Sequence, residues 1–258
     1  MKLVILAGGS GTRLSEETIV KPKPLVEIGG YPIIWHIMKI YSLHGVKDFV
    51  ICCGYKGSMI KDYFLNYFNF NSDLSIDLKS NEISILKKSN EDWKITLVDT
   101  GLNTMTGGRI KKISKFINAN EDFCLTYGDG VANINISNLI KFHKSHKNLA
   151  TVTAVQPQGR YGALNINKNN NLIEHFIEKP KGDSHWINGG FFVLKKEVIN
   201  EIKGDKDIWE RKPLESLAKK RKLVAYKHKG FWQAMDTLSD KNYLNHLVEI
   251  KKAPWIKW

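Results

Sequence analysis

Apolar residues along this chain fall into two patterns that alternate. Short unbroken runs, such as Leu3 to Leu6, Phe49 to Cys53 and Phe123 to Leu125, read as strands buried on both faces, since neither face carries polar residues. Between them lie segments with helical spacing. In YPIIWHIMKIYSLHG, Ile33, Ile34, Ile37, Met38 and Tyr41 share a face, Pro32 suits the first turn and Gly45 stands where a helix closes. In SMIKDYFLNYF, Met59, Ile60, Tyr63, Phe64, Tyr67 and Phe68 form a second stripe, which reads as core or subunit contact. WKITLVDTG and FCLTYGDG are further strands, with the helix GGRIKKISKFI between them.

This alternation predicts an α/β fold with a mixed, mainly parallel central sheet flanked by helices. Ligands of such sheets sit beyond the carboxyl ends of the strands, so LAGG, CCGYKG, VDTG and TYGDG should gather on one edge. The second half is less regular. NLATVTAV, GALNIN, LIEHFIEK and NGGFFVL read as strands joined by turns, which predicts small antiparallel additions, and SDKNYLNHLVEIKK reads as a closing helix. The polar stretch from Asn69 to Asn90 reads as a protruding insertion.

Composition narrows the classes. The 258 residues are 42% hydrophobic, enough for a sizeable core, and no apolar stretch reaches the length of a membrane span. The N-terminal apolar run soon meets glycines and Arg13 instead of a cleavage site, so neither a leader nor a membrane association is expected. Cys52, Cys53 and Cys124 lie in strand-like runs without metal or disulfide spacing. They read as buried thiols of a cytoplasmic protein. The net charge of +13 is spread over a surface rich in lysine and asparagine. No basic helix, RNA-recognition signature or zinc finger accompanies it, so phosphorylated small molecules are expected as partners and nucleic acid is not. His143 and His146 have i,i+3 spacing but no third ligand, and read as a solvated helix face.

Candidate chemistry begins at LAGGSGTRL, Leu6 to Leu14, where a strand runs into three glycines within four positions. Glycines there free backbone N–H groups for an anion, and Arg13 adds a two-pronged cation. The spacing is neither the dinucleotide fingerprint nor a Walker loop. By itself it leaves a plain turn and a phosphate cradle equally open. Lys23, held between prolines in KPKP, tips the reading towards phosphate.

With Lys23 in view, LAGGSGTRL…KPKPLVEIGGYPI resembles the signature of the sugar-1-phosphate nucleotidylyltransferases. Gly8, Gly9, Gly11, Thr12, Arg13, Lys23, Pro24, Gly30 and Pro32 match its fixed positions. CCGYKG, MTGGR, TYGDGVA, INGGFFV and FWQAMDT point to the branch that transfers a cytidylyl group to glucose 1-phosphate. The resemblance runs almost from end to end. It implies a Rossmann-like nucleotidyltransferase fold in a single domain over 1–258, with a nucleotide-binding half (1–150) and a sugar-binding half that includes the C-terminal helix (151–258). It implies CTP and glucose 1-phosphate as substrates, Mg²⁺ as cofactor, and a homo-oligomer, hexameric in relatives. The implied role is supply of a nucleotide sugar for the dideoxyhexoses of surface polysaccharide (O-antigen).

Residue roles follow from the same resemblance. Leu6, Ala7, Gly8, Gly9, Ser10, Gly11, Thr12, Arg13, Lys23, Thr104, Arg109 and Gly128 match the nucleotide site, with Arg13, Lys23 and Asp129 catalytic. Gly107 and Gly108 open a helix whose N-terminus suits an anion. Asp129 and Asp236 match the metal-binding aspartates; read locally, they are a turn residue and a helix cap. Gly162, Glu178, Lys179 and Asn188 match the sugar-phosphate site. Three positions depart from the pattern: Ser10 in the loop, Ala234 where relatives have proline, and Trp186 near the expected sugar pocket. A different base or sugar, or a nucleotide-binding protein without turnover, are the rival readings.

Overall fold

The structure, a computed structural model, describes residues 1–87, 91–157, 159, 162–167, 170–178 and 185–258. Its centre is a seven-stranded sheet. We number these strands in chain order: β1 Lys2–Leu6, β2 Asp48–Cys53, β3 Lys94–Asp99, β4 Phe123–Tyr127, β5 Ala150–Val155, β6 Ile187–Leu194 and β7 Leu223–His228. Their order across the sheet is β7-β5-β6-β4-β1-β2-β3. β1 pairs in parallel with β2 and β4, β2 with β3, and β5 with β7. β6 alone runs antiparallel to both its neighbours, β5 and β4. The α/β class and the mainly parallel sheet read from the alternation are those observed.

Strand β1 explains why the apolar runs are unbroken. Leu3 and Ile5 belong to one core cluster, Val4 and Leu6 to another on the opposite face. A strand with helices over both faces has no solvent side to mark with polar residues. Helix Ile33–Ser42 covers one face, and eight of its ten residues are buried, Trp35 and His36 among them. The expected single apolar face is therefore too narrow. An aromatic layer covers the outer side, with Tyr31 stacked on Trp35 at 4.2 Å and Trp258 edge-on to it at 5.7 Å.

The stripe from Met59 to Phe68 divides. Ile60 and Tyr67 are buried, whereas Met59 and Phe68 are exposed. The stretch predicted to protrude forms a ribbon, Asp73–Asp77 paired antiparallel with Glu82–Lys87. A second ribbon pairs Ala163–Ile166 with Ile173–Ile177, as the second-half turns predicted. Among the described residues no helix is long and apolar enough to cross a membrane. All three cysteines are buried and unpaired. His143 is not on a solvated face: it is 1% exposed, and both it and His146 converge on the Thr151 hydroxyl, at 2.8 and 2.9 Å.

Candidate active site

Six strands point one way, so their carboxyl ends share an edge, and β1 lies near the middle of it. There the chain leaves Leu6 and passes without regular structure to a 3₁₀ turn, Thr12–Leu14, and a one-turn helix, Ser15–Thr18. Two glycines are dictated by what surrounds them. A Cβ on Gly8 would lie 2.2 Å from the Arg109 guanidinium, and Gly11 has φ +64° with Thr18 and Lys23 against it. Leu6, Ala7, Gly8, Gly9, Gly11, Thr12 and Arg13 wall a cavity of about 320 Å³, with Lys23, Thr104, Arg109, Gly128 and Asp129 completing it. Ser10 is exposed and not part of that wall.

Lys23 opens a 3₁₀ turn, Lys23–Leu25, between Pro22 and Pro24. Only 7% exposed, it aims its ammonium at two carboxylates. The Nζ donates to Asp129 Oδ2 at 2.6 Å and to Asp236 Oδ1 at 2.8 Å. Arg13 Nη1 donates to the other oxygen of Asp236 at 2.8 Å. Burial works against the Lys23 charge, yet the carboxylates outweigh it and hold its pKa above the ordinary value.

The aspartates meet because a short ribbon joins their loops. Gly130–Ala132 pairs antiparallel with Trp232–Ala234, Gly130 opposite Ala234, and the Met235 N–H donates to the Asp129 carbonyl at 2.8 Å. Asp129 does stand in the turn between β4 and this ribbon, as its local reading has it, but Asp236 is not the helix cap. Helix Leu238–Glu249 is capped by Thr237, in a capping box with Asp240, and Asp236 sits just outside it. The Asp240 carboxylate also accepts from the Asp236 N–H at 3.0 Å. Ala234 is held by pairing, which replaces the stiffness a proline would bring.

Arg109 is 4% exposed, and its guanidinium bonds neutral oxygens. Its guanidinium donates to the carbonyls of Gly8 (3.0 Å), Cys53 (3.2 Å) and Gly101 (2.9 Å) and to the Thr100 hydroxyl (2.5 Å). It thus ties together the loops that leave β1, β2 and β3 while facing the cavity. Burial lowers its pKa. Thr104 is buried beside it and accepts from Lys112 at 3.0 Å. Gly107 and Gly108 are not an anion site, contrary to expectation. Their N–H groups both donate to the Asp207 carbonyl, and a Cβ on either would strike the backbone at Asp207 or Asp205.

A second cavity of about 440 Å³ shares Arg13, Thr106, Tyr127 and Asp129 with the first, and Asp236 lies on its wall. Because β6 is antiparallel, its start reaches this edge and brings Asn188 in. Asn188 donates to the Tyr127 hydroxyl at 3.1 Å. Burial first, then the Glu210 carboxylate, raises the pKa of that hydroxyl far above the usual phenol range. Thr106 donates to Glu210 at 2.7 Å. Tyr127 and Glu210 were not foreseen. Tyr127 could have been, as the residue before Gly128 and Asp129 at a strand end; nothing local marks Glu210. Gly162 and Glu178 stand together at the second ribbon, a Cβ on Gly162 coming 3.0 Å from the carboxylate, but neither lines the cavity. Trp186 lies off its wall, under the Lys227 ammonium at 5.3 Å. Lys179 lies outside the described residues.

Asp129 and Asp236 already share one cation, the Lys23 ammonium, and present hard oxygen donors of the kind a divalent cation takes. Among the described residues no cluster of three or more His, Cys, Asp or Glu could hold a metal. A cation here would draw its remaining ligands from substrate and water.

Known proteins resemble this chain along its length. The glucose-1-phosphate cytidylyltransferase of Salmonella typhimurium is 57% identical over 258 residues, 100% of both chains, and that of Salmonella typhi matches equally. The crystal structure of HddC from Yersinia pseudotuberculosis has the same fold, with a TM-score of 0.68 at 24% identity over 96% of this chain and 99% of that one. Residues 2–240 match the nucleotidyl transferase family model, and the chain belongs to that family.

Proposed function

We propose that this chain transfers the cytidylyl group of CTP to glucose 1-phosphate, releasing pyrophosphate and CDP-glucose. The observation that carries the reading is the Lys23, Asp129, Asp236 and Arg13 cluster where two cavities join. Full-length identity of 57% to a protein of that activity supports the choice of base and sugar.

The loop from Leu6 to Arg13 cradles the triphosphate with backbone N–H groups from Gly8 onward, since that of Ala7 donates to the Cys52 carbonyl, and Arg13 and Lys23 supply its counter-charge. A sugar-phosphate oxygen attacks the α-phosphorus from the second cavity; the new O–P bond forms as the bond to the β-phosphate oxygen breaks, and pyrophosphate leaves with the electron pair. Such transfers need alignment and charge neutralisation more than covalent help. Mg²⁺, held by Asp129 and Asp236, would supply further neutralisation of the phosphate charge. Asn188, with Tyr127 and Glu210 on the same cavity wall, faces the sugar phosphate, and by resemblance to the family Gly162, Glu178 and Lys179 serve it too.

The chain acts in the cytoplasm, where its buried cysteines stay reduced, and supplies nucleotide sugar for surface polysaccharide. It assembles as a homo-oligomer. The first ribbon supports this: Leu74 faces Ile85 and Ile76 faces Ile83 on one apolar side, with Ile76, Ile83 and Ile85 exposed. Light scattering on the purified protein tests the assembly. The activity is tested with Mg²⁺ and a panel of nucleoside triphosphates and sugar 1-phosphates. Pyrophosphate release is expected to be fastest with CTP and glucose 1-phosphate; none from that pair sinks the reading.

A further inference from the structure

Lys23 touches both aspartates and Arg13 touches one, so every contact of the cluster joins a phosphate-seeking cation to a metal-seeking carboxylate. Asp236 has both oxygens engaged, Oδ1 by Lys23 and Oδ2 by Arg13, and Asp129 has Oδ2 engaged by Lys23. A divalent cation entering here must displace at least the ammonium. Lys23 has somewhere to go. A Cβ on Gly11 would be 3.2 Å from the Lys23 Cβ, so the stem lies directly against the phosphate loop and on the wall of the first cavity. The flanking prolines fix the backbone, leaving the side chain as the moving part.

We infer that Lys23 is an internal stand-in for the divalent cation, which keeps Asp129 and Asp236 together and closed to metal until a triphosphate draws the ammonium away. This rests on the reading above that the two aspartates hold the metal. It follows that metal binds weakly without nucleotide and that each favours the other, since any free energy by which nucleotide frees the carboxylates returns as tighter nucleotide binding when metal is present. Arg13 plays a smaller part, because it meets only one carboxylate and its side chain is 73% exposed.

The test is a Mn²⁺ titration of the full chain without nucleotide or sugar, following free Mn²⁺ by electron paramagnetic resonance. Lys23→Met is expected to bind Mn²⁺ at least ~10-fold tighter than the unaltered protein, and Arg13→Met less than ~3-fold tighter. Adding Asp129→Asn to Lys23→Met should erase the gain. Mn²⁺ should also raise the Tm of Lys23→Met more than that of the parent, and Lys23→Gln serves if the methionine variant does not fold. Equal affinity in parent and Lys23 variants overturns the inference. Equal gains from Lys23→Met and Arg13→Met overturn it too, since they would reflect net charge alone, as would a gain that survives Asp129→Asn. Failure to use CTP or glucose 1-phosphate would not alter these outcomes, because neither is present.

Discussion

The backbone N–H of Met235 donates to the carbonyl of Asp129 at 2.8 Å. Through that bond and the Gly130–Ala234 pairing beside it, two aspartates from opposite halves of the chain share the Lys23 ammonium. If the cluster performs the transfer, Asp129→Asn and Asp236→Asn should each lower kcat by ~10²-fold or more. Circular dichroism should remain that of the parent, with Tm reduced by a few degrees as Lys23 loses one carboxylate. Near-parental pyrophosphate release from either variant would remove the assignment.

Asp240 is expected to act as a positioning residue for Asp236. One of its oxygens accepts from the Asp236 N–H, the Thr237 N–H and the Thr237 hydroxyl, at 3.0, 2.8 and 2.8 Å. Asp240→Ala should cost about 1 kcal/mol through the helix cap and lower kcat by ~10-fold or more through the carboxylate it aims. Asp240→Asn keeps an acceptor oxygen and should recover most of the rate. A stability loss with unchanged kcat would confine Asp240 to the cap.

Removing the Arg109 guanidinium leaves the carbonyls of Gly8, Cys53 and Gly101 without that donor. The Gly8 carbonyl keeps the Tyr55 N–H and the Cys53 carbonyl keeps the Thr100 N–H and hydroxyl, so the loss falls mainly on Gly101. An unmet acceptor costs roughly 1–3 kcal/mol before relaxation, and Arg109→Met should lower stability in urea denaturation by about that much. Arg109→Lys should restore only part, since one ammonium cannot span loops that a planar fork reaches together. The KM for CTP should rise in both, because the loop tied at Gly8 is the proposed triphosphate cradle.

His36 links stability to acid. It is 2% exposed, its Nε2 meets the Ile28 carbonyl at 2.8 Å, and Trp255 donates to its Nδ1 at 3.3 Å. The ring is therefore neutral, and burial lowers its pKa from 6.5 to about 4. The unfolded chain binds the proton first, so this contribution is present above about pH 6.5 and lost as pH falls towards 4. Denaturation at pH 7 and pH 5 should differ by about 2 kcal/mol from this group alone. His36→Asn should be less stable at pH 7 but flatter with pH; an unchanged slope would place the sensitivity elsewhere.

Much of the fold was legible because its signals are local. The unbroken run Leu3 to Leu6 marks a strand covered on both sides, and Gly8 and Gly11 mark a loop where side chains have no room. Asp129, directly beyond β4, was legible as an edge residue for the same reason. Gly107 and Gly108 misled because an exposed helix start and one capped by the carbonyl of Asp207 look alike in sequence.

Residue order alone determined the α/β alternation, the glycine loop and the edge to which it belongs, since periodicity and turn chemistry act over a few residues. Tertiary structure decided which distant groups share a charge: Asp236 with Asp129 across the ribbon, Glu210 with Tyr127, Arg109 with three strand ends. Those meetings depend on strand register and on the antiparallel β6, and pairing energy between segments far apart in the chain leaves no local mark at either end.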